Sequence, residues 1–305
     1  MLRNTARDPL HEAFLASGDP DSLLSGRTAS VDALVAGVFA ECDAGQGGAA
    51  LLAVGGFGRR ELFPHSDVDL LLLTPTSRLD GGQRNAVSAF QQRLWDAGLR
   101  ISHSVRTVAD CCELHDTNVE LNISLLDQRF LAGDEALYRQ LAERLPRFIH
   151  GQRDNLVRNL CALATTRHDK FNRTIYHLEP NIKEAPGGLR DLQIAAWIAG
   201  IRSQERNGPM ARPMRFAEDL ESARRFLFAL RCYLHIHHER DSNLLTFEAQ
   251  ESVAARAGFR DAEACMREYF RHARAVRRGS ARQMESAQAG SSSLFSQFRD
   301  WRSRL

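Results

Sequence analysis

The segment LLAVGGFGRRELFPHSDVDLLLL, residues 51–73, constrains the fold more than any other part of the sequence. Two short apolar runs, at 51–55 and 68–73, are bounded by turn residues, as is typical of strands covered on both faces. The connection between them is too polar for a core and predicts a turn plus one helical turn that stops before Pro64. The segment therefore predicts two buried strands joined by a tight connection.

Asp67 and Asp69 stand two positions apart in the second apolar run. On a strand their side chains emerge on the same face about 7 Å apart, close enough to hold one or two divalent cations. Unpaired carboxylates are costly to bury in an apolar strand, and bound Mg²⁺ or Mn²⁺ removes that cost. We therefore predict that Asp67 and Asp69 are catalytic, metal-binding residues.

Gly55 and Gly56 end the first strand, where the missing side chains let backbone N–H groups approach a triphosphate. A helical turn after Gly58 is predicted to point its N-terminus toward the same triphosphate. The nucleotide-binding candidates in this segment are Gly55, Gly56, Gly58, Arg59 and Ser66. The spacing fits neither a P-loop nor a dinucleotide-binding fold. A tight turn is the alternative for the glycines taken alone. A phosphate cradle facing a metal clamp is the arrangement that nucleotidyl transfer needs.

The rest of the chain predicts an α+β protein. An amphipathic helix at 85–97 is followed by a third strand at 99–107, and no later segment predicts a sheet. The predicted domains are a nucleotidyltransferase domain with N-terminal helices at 1–135, an all-helical domain at 136–288 and a flexible tail at 289–305.

Composition excludes several classes of protein. The formal net charge of +2 gives no electrostatic case for a nucleic-acid partner. No run approaches the roughly 18 apolar residues of a membrane-spanning helix, and the first ten residues lack the apolar core of a secretory signal. Six cysteines without CxxC spacing suggest neither a zinc ribbon nor a disulfide framework. The sequence thus predicts a cytoplasmic protein with no membrane partner.

Two blocks carry a family resemblance. GGFGRRELFPHSDVDLLLL resembles the nucleotidyltransferase motif of the bifunctional uridylyltransferase/uridylyl-removing enzymes, which modify the PII nitrogen-regulatory protein. YHLEPNIKEAPGGLRDLQIAAWIA, at 176–199, is similar to the segment that opens the helical domain of that family. The resemblance implies a DNA polymerase β-like nucleotidyltransferase fold, with Gly55 and Gly56 binding phosphate and Asp67 and Asp69 binding metal.

The implied reaction transfers UMP from UTP to a tyrosine of PII and releases pyrophosphate, with Mg²⁺ or Mn²⁺ as cofactor. The chain stops before the hydrolase and regulatory domains of such enzymes, so uridylyl removal and glutamine sensing are expected to be absent. The superfamily often carries a third carboxylate on a neighbouring strand; the strand at 99–107 has none, and Glu120 and Asp127 are the nearest alternatives. A protein adenylyltransferase and a non-catalytic nucleotide-sensing module stay open as alternatives.

Lysine is rare in this sequence. Of 40 basic residues only Lys170 and Lys183 are lysines, and they flank the loop that is expected to begin the helical domain. A compact ammonium suits a triphosphate clamp better than a planar guanidinium. We therefore predict that Lys183, within NIKEAPGGLRD, binds the β- or γ-phosphate, whereas Lys170 is predicted to be an ordinary surface residue.

Overall fold

The chain divides into two units. The computed structural model describes residues 8–114, 119–210 and 216–302. The first unit is Met1–Phe148 with His238–Asp241, and the second is Ile149–His237 with Ser242–Leu305. The predicted boundary at residue 135 and this division after Phe148 lie near the two ends of one helix, Glu135–Gly151.

The first unit is a small sheet with helices before, between and after its strands. Its elements are α1 (Pro9–Ser17), α2 (Pro20–Glu41), β1 (Ala50–Ala53), α3 (Gly55–Gly58), β2 (Val68–Leu73), α4 (Gly81–Asp96), β3 (Ile101–Arg106), α5 (Val108–Cys111), α6 (Val119–Ser124), a 3₁₀ turn (Leu125–Asp127), β4 (Arg129–Gly133) and α7 (Glu135–Gly151). Helix α4 begins at Gly81, four residues before the predicted start, because Asp80 and Gln83 form a reciprocal capping box there. The predicted α+β class is confirmed.

The sheet has the strand order β3-β2-β1-β4. Strand β1 is antiparallel to β2 and β4, and β2 is parallel to β3 across the α4 crossover. The expectation that no strand follows residue 108 is wrong, because β4 pairs with β1 along the open edge. Strand β4 is short and only half-buried, so it lacks the alternation that identifies a strand in sequence.

The core of the first unit lies between the sheet and helices α2 and α4. Val35 and Phe39 of α2 share one buried cluster with Leu51 and Leu70 of the central strands. Phe39 also makes an edge-to-face ring contact with Phe90, at 5.5 Å between centroids. Among the described helices, α2 alone is long and apolar enough to cross a membrane by length and composition. Its contacts with the strands make it a core helix of this unit.

The second unit is helical, as predicted. It contains α8 (Arg153–Asp169), α9 (Leu189–Ser203), α10 (Glu218–His238), α11 (Phe247–Arg256) and α12 (Ala262–Arg302). Helix α9 packs against α8 and α12, and α11 packs against α12. Helix α12 covers the predicted tail as far as Arg302, and the flexibility of that tail stays a prediction.

Gly58 fixes how closely the connection after β1 approaches the 3₁₀ turn. A methyl group on Gly58 would lie 1.9 Å from the carbonyl oxygen of Asp127 and 3.0 Å from that of Ala53. Both neighbours are backbone atoms, which cannot swing aside as a side chain can. The sequence therefore needs glycine here for packing, whatever its part in nucleotide binding.

We expect Gly58→Ala to lower the free energy of unfolding by about 3 kcal/mol, the upper end of the usual cost of overpacking. The measurement is urea denaturation of the 305-residue chain. Gly37→Ala is the matched control, because Gly37 lies on the exposed face of α2 with nothing within 4 Å of an added methyl group. That control should be stabilising by about 0.5–1 kcal/mol. Equal stability of the two variants would contradict the packing argument.

Candidate functional site

The glycine turn and the second strand meet at Asp69. The backbone N–H of Val54, directly after β1, donates to the Asp69 carbonyl oxygen at 3.1 Å. Gly55 follows with a φ of +56°, a conformation that L side chains rarely adopt, and a methyl group on it would lie 3.1 Å from Asp69 Oδ2. The structure thus brings together the turn and one of the predicted metal ligands. The helical turn begins at Gly55 itself rather than after Gly58 as predicted, because the GGFG residues form α3.

Asp67 and Asp69 lie on the less buried face of the same strand end. Val68 and Leu70 are 1% and 2% exposed, whereas Asp69 is half-buried and Asp67 is exposed. This alternation is that of a strand whose two faces differ in burial. The apolar residues anchor the strand in the core, and the carboxylates remain accessible from the other side.

Asp67 is held by an arginine of the neighbouring strand. Its Oδ1 accepts a hydrogen bond from Arg100 Nε at 2.8 Å, and Arg100 Nη2 forms an ion pair with the same oxygen at 2.7 Å. Arg100 immediately precedes β3, and its carbonyl oxygen accepts from the N–H of Val68 at 2.8 Å. The residue beside Asp67, directly before the adjacent strand, is therefore a cation.

The donor set suits a hard divalent cation that arrives with a nucleotide. Within the described ranges no group of three or more His, Cys, Asp or Glu side chains could hold a metal by itself. Mg²⁺ is commonly bound by one or two carboxylates together with substrate phosphates and water. Two adjacent carboxylates beside an open glycine turn fit that pattern, with Asp67 and Asp69 as the protein ligands.

The other predicted nucleotide-binding residues differ in their surroundings. A methyl group on Gly56 would make only ordinary van der Waals contacts, with the Glu61 carbonyl oxygen at 3.6 Å and Arg59 Nη2 at 3.9 Å. The N–H of Ser66 donates to the Phe63 carbonyl oxygen at 3.0 Å, and this residue is half-buried in the connection to β2. Of Gly55, Gly56 and Gly58, Gly56 thus has the most distant neighbours around the position that a side chain would occupy.

Arg59 lies between two carboxylates. Its Nε donates to Glu61 Oε2 at 2.7 Å, and its Nη1 donates to Asp127 Oδ2. Burial disfavours the charged guanidinium, but the carboxylates of Glu61 and Asp127 outweigh it and raise the pKa of Arg59. This pairing ties α3 to the 3₁₀ turn and accounts for Asp127, which was considered as a third carboxylate. Glu120, the other candidate, is exposed on α6.

In the second unit, hydrogen bonds to backbone N–H groups hold the loop that carries Lys183 in place. Asn181 Oδ1 accepts from the N–H groups of Lys183 and Glu184, at 3.1 and 2.9 Å. The first amides of α9 also have partners: Leu189 donates to the Ile182 carbonyl oxygen, Arg190 to that of Lys183 and Asp191 to that of Gly188. The backbone N–H groups at the start of α9 are therefore already satisfied within the protein.

A buried charged cluster holds the same loop to α8. Asp191 is 1% exposed, and its Oδ1 lies 2.8 Å from His168 Nε2 and also accepts from Arg167 Nη2. Its Oδ2 accepts from the Gly187 N–H at 2.8 Å, and Arg167 Nη1 donates to the Glu184 carbonyl oxygen at 3.0 Å. Sequence reasoning missed this cluster, because His168 and Asp191 are 23 positions apart and form no local pattern.

Lys183 itself is half-buried, and its carbonyl oxygen accepts from the Arg190 N–H at 2.9 Å. The cluster and the Asn181 turn thus set the position of the Lys183 backbone within the second unit. Binding of a phosphate by its ammonium group stays a prediction.

Comparison with known proteins bears on this architecture. Residues 156–283 match the family model described as GlnD PII-uridylyltransferase. A bifunctional uridylyltransferase/uridylyl-removing enzyme of Cereibacter sphaeroides is 39% identical over 239 residues, which cover 74% of this chain and 26% of the relative. Namesakes from Pseudomonas putida and Bordetella avium are 35% and 36% identical, over 87% and 84% of this chain and 31% of each relative.

Over most of its length the chain is similar to PII-uridylyltransferases. It spans between about a quarter and a third of the length of these curated relatives. The family model covers the helical unit, and the matches to the relatives cover most of the chain. The resemblance stated from the sequence motifs is thereby confirmed.

The buried cluster around Asp191 gives a prediction for stability. Asp191→Asn leaves the Arg167 guanidinium without its buried counter-charge, so we expect the free energy of unfolding to fall by about 3–5 kcal/mol at pH 7. Urea denaturation measures this change. Asp169→Asn is the matched control, because Asp169 pairs with Arg173 at the surface and its loss should change little. A small effect at Asp191 would contradict the structural role of the cluster.

The same cluster predicts a pH dependence. Burial raises the pKa of the Asp191 carboxyl, but the His168 hydrogen bond and the Arg167 charge outweigh burial and lower the pKa. A carboxyl with a lowered folded-state pKa stabilises the fold fully above its unfolded pKa of about 3.9 and loses that effect as the pH falls through the folded value. The difference in stability between the wild type and Asp191→Asn should therefore shrink below about pH 4.

Proposed function

We propose that this chain carries the nucleotidyl-transfer site of a PII uridylyltransferase and transfers UMP from UTP to a tyrosine hydroxyl of a PII protein. The acceptor oxygen forms a bond to the α-phosphorus, the bond from that phosphorus to the bridging oxygen breaks, and pyrophosphate leaves. The similarity of the chain to PII-uridylyltransferases supports uridylyl transfer in general. The choice of PII and of tyrosine rests on the names of the relatives and on the sequence motifs.

The observation that carries the proposal is the contact between Gly55 and the Asp69 carboxylate. A glycine turn that leaves its backbone accessible lies directly against a carboxylate, with a second carboxylate two residues away. A triphosphate bound at the turn and a cation bound at the carboxylates would lie next to each other. Phosphate oxygens and carboxylate oxygens could then coordinate the same ion.

The protein residues have distinct proposed roles. Asp67 and Asp69 hold Mg²⁺ or Mn²⁺, which when bound neutralises the triphosphate charge in the transition state. Gly55 and Gly56 bind the phosphates through their backbone N–H groups, and Ser66 and Lys183 also bind them. Gly58 and Arg59, which were also predicted to bind nucleotide, support the turn through their contacts with Asp127. The proposed setting is the cytoplasm.

The direct test is incubation of the chain with PII, Mg²⁺ and radiolabelled UTP or ATP. Labelling of PII from UTP supports the proposal. Labelling from ATP in preference to UTP identifies an adenylyltransferase, and binding of nucleotide without labelling identifies a sensing module.

We expect Asp67→Asn and Asp69→Asn each to reduce UMP transfer by about a hundredfold or more, because each removes a metal ligand worth several kcal/mol in the transition state. Both substitutions keep the side-chain volume, so the melting temperature without ligand should change little. Initial rates of PII labelling give the first quantity and circular dichroism the second. Near-normal activity of either variant would contradict the two-carboxylate site.

For Lys183→Ala we expect the apparent KM for UTP to rise about tenfold, equivalent to roughly 1.4 kcal/mol, because one charged phosphate contact is lost. Lys170→Ala is the control, since this lysine follows α8 and is predicted to be a surface residue. The KM of that variant should match the wild type. An unchanged KM for Lys183→Ala would remove Lys183 from the nucleotide site.

A further inference from the structure

The ion pair between Arg100 and Asp67 bears directly on how the site takes up a cation. Both polar groups that Arg100 presents to Asp67 converge on a single oxygen, Oδ1. The side chains are 58% and 52% exposed, so the pair lies in solvent rather than in the core. Exposed pairs of this kind stabilise a fold little, and their partners exchange readily.

The backbone places Arg100 beside Asp67. Strands β2 and β3 are parallel, with Val68 opposite Ile101 and Asp69 opposite Ser102. The hydrogen bond from Val68 N–H to the Arg100 carbonyl oxygen extends this ladder by one position. Arg100 therefore starts from a fixed point one strand away, and only its side chain has to move to release the carboxylate.

The guanidinium changes the charge that a free cation meets. The Asp67 carboxylate carries a negative charge that could attract a cation, and the Arg100 guanidinium offsets it. An approaching dication has to displace the guanidinium from Oδ1 or share the carboxylate with it, and it is repelled by the arginine in either case.

We propose that Arg100 is an internal counter-ion of Asp67 that keeps the affinity of the nucleotide-free site for divalent cations low. The proposal rests on the proposed function, because it concerns the same metal-binding carboxylates. In consequence the cation binds tightly only as a complex with the triphosphate, whose phosphates add the negative charge that Arg100 cancels. Arg100 is a positioning residue for Asp67 rather than a catalytic residue.

The test is titration of the 305-residue chain with MnCl₂ alone, without nucleotide, with free Mn²⁺ followed by electron paramagnetic resonance. We expect Arg100→Gln to bind Mn²⁺ about threefold or more tightly than the wild type, within the range of an exposed ion pair. The double variant Asp67→Asn with Arg100→Gln should lose that gain, because the competition takes place at Asp67.

Arg93→Gln is the matched control for the loss of one positive charge. Arg93 pairs with Glu41 and is 52% exposed, close to the exposure of Arg100. Its Mn²⁺ affinity should equal that of the wild type. An equal gain in Arg93→Gln would show a general charge effect and overturn the role of Arg100.

The outcomes separate this inference from the proposed function. If Asp69→Asn weakens Mn²⁺ binding while Arg100→Gln leaves it unchanged or weaker, the metal site stands and the role of Arg100 is wrong. If neither Asp67→Asn nor Asp69→Asn weakens Mn²⁺ binding, the metal site and the role of Arg100 are both wrong.

Discussion

The close approach of the GGFG turn to its neighbours is the constraint on which the first unit depends. Gly58 lies against the Asp127 carbonyl oxygen, and Gly55 lies against the Asp69 carboxylate. The first contact lets β1, α3 and the 3₁₀ turn pack without a gap, and the second puts an accessible backbone beside a carboxylate. Any larger side chain at Gly58 would push the turn away from the 3₁₀ segment. One tight turn therefore serves both the packing of the unit and the geometry of its candidate site.

The ion pairs of this protein have different roles according to how deeply they are buried. Arg167 with Asp191 is a buried pair and Arg59 with Asp127 a largely buried one. Removal of one partner leaves an uncompensated charge, so these pairs fix the segments that they connect. Arg100 with Asp67 is exposed and can separate at small cost. The buried pairs therefore hold the architecture, whereas the exposed pair lies where a ligand is proposed to bind and can respond to it.

Part of this architecture was predictable from local sequence. The buried strands β1 and β2, the glycine turn and the helical character of the second unit follow from apolar runs, glycine pairs and helical spacing over a few neighbouring residues. Strand β4 was not predictable in this way, because its residues are half-buried and its pairing with β1 joins segments far apart in the chain. The cluster of Arg167, His168 and Asp191 was not predictable for the same reason. Its members come from two segments of the chain, and neither their burial nor their pairing produces a pattern among neighbouring residues.

The sequence by itself determined that Asp67 and Asp69 share a strand end near a pair of glycines, because period-two alternation and glycine conformation are local properties. Only the tertiary structure decided what surrounds them. Arg59 and Asp127 are 68 positions apart, and Arg100 and Asp67 are 33 apart, yet each pair is in contact. Ion pairing of this kind depends on which strands and turns become neighbours, and that is settled by packing of the whole unit rather than by any stretch of its residues.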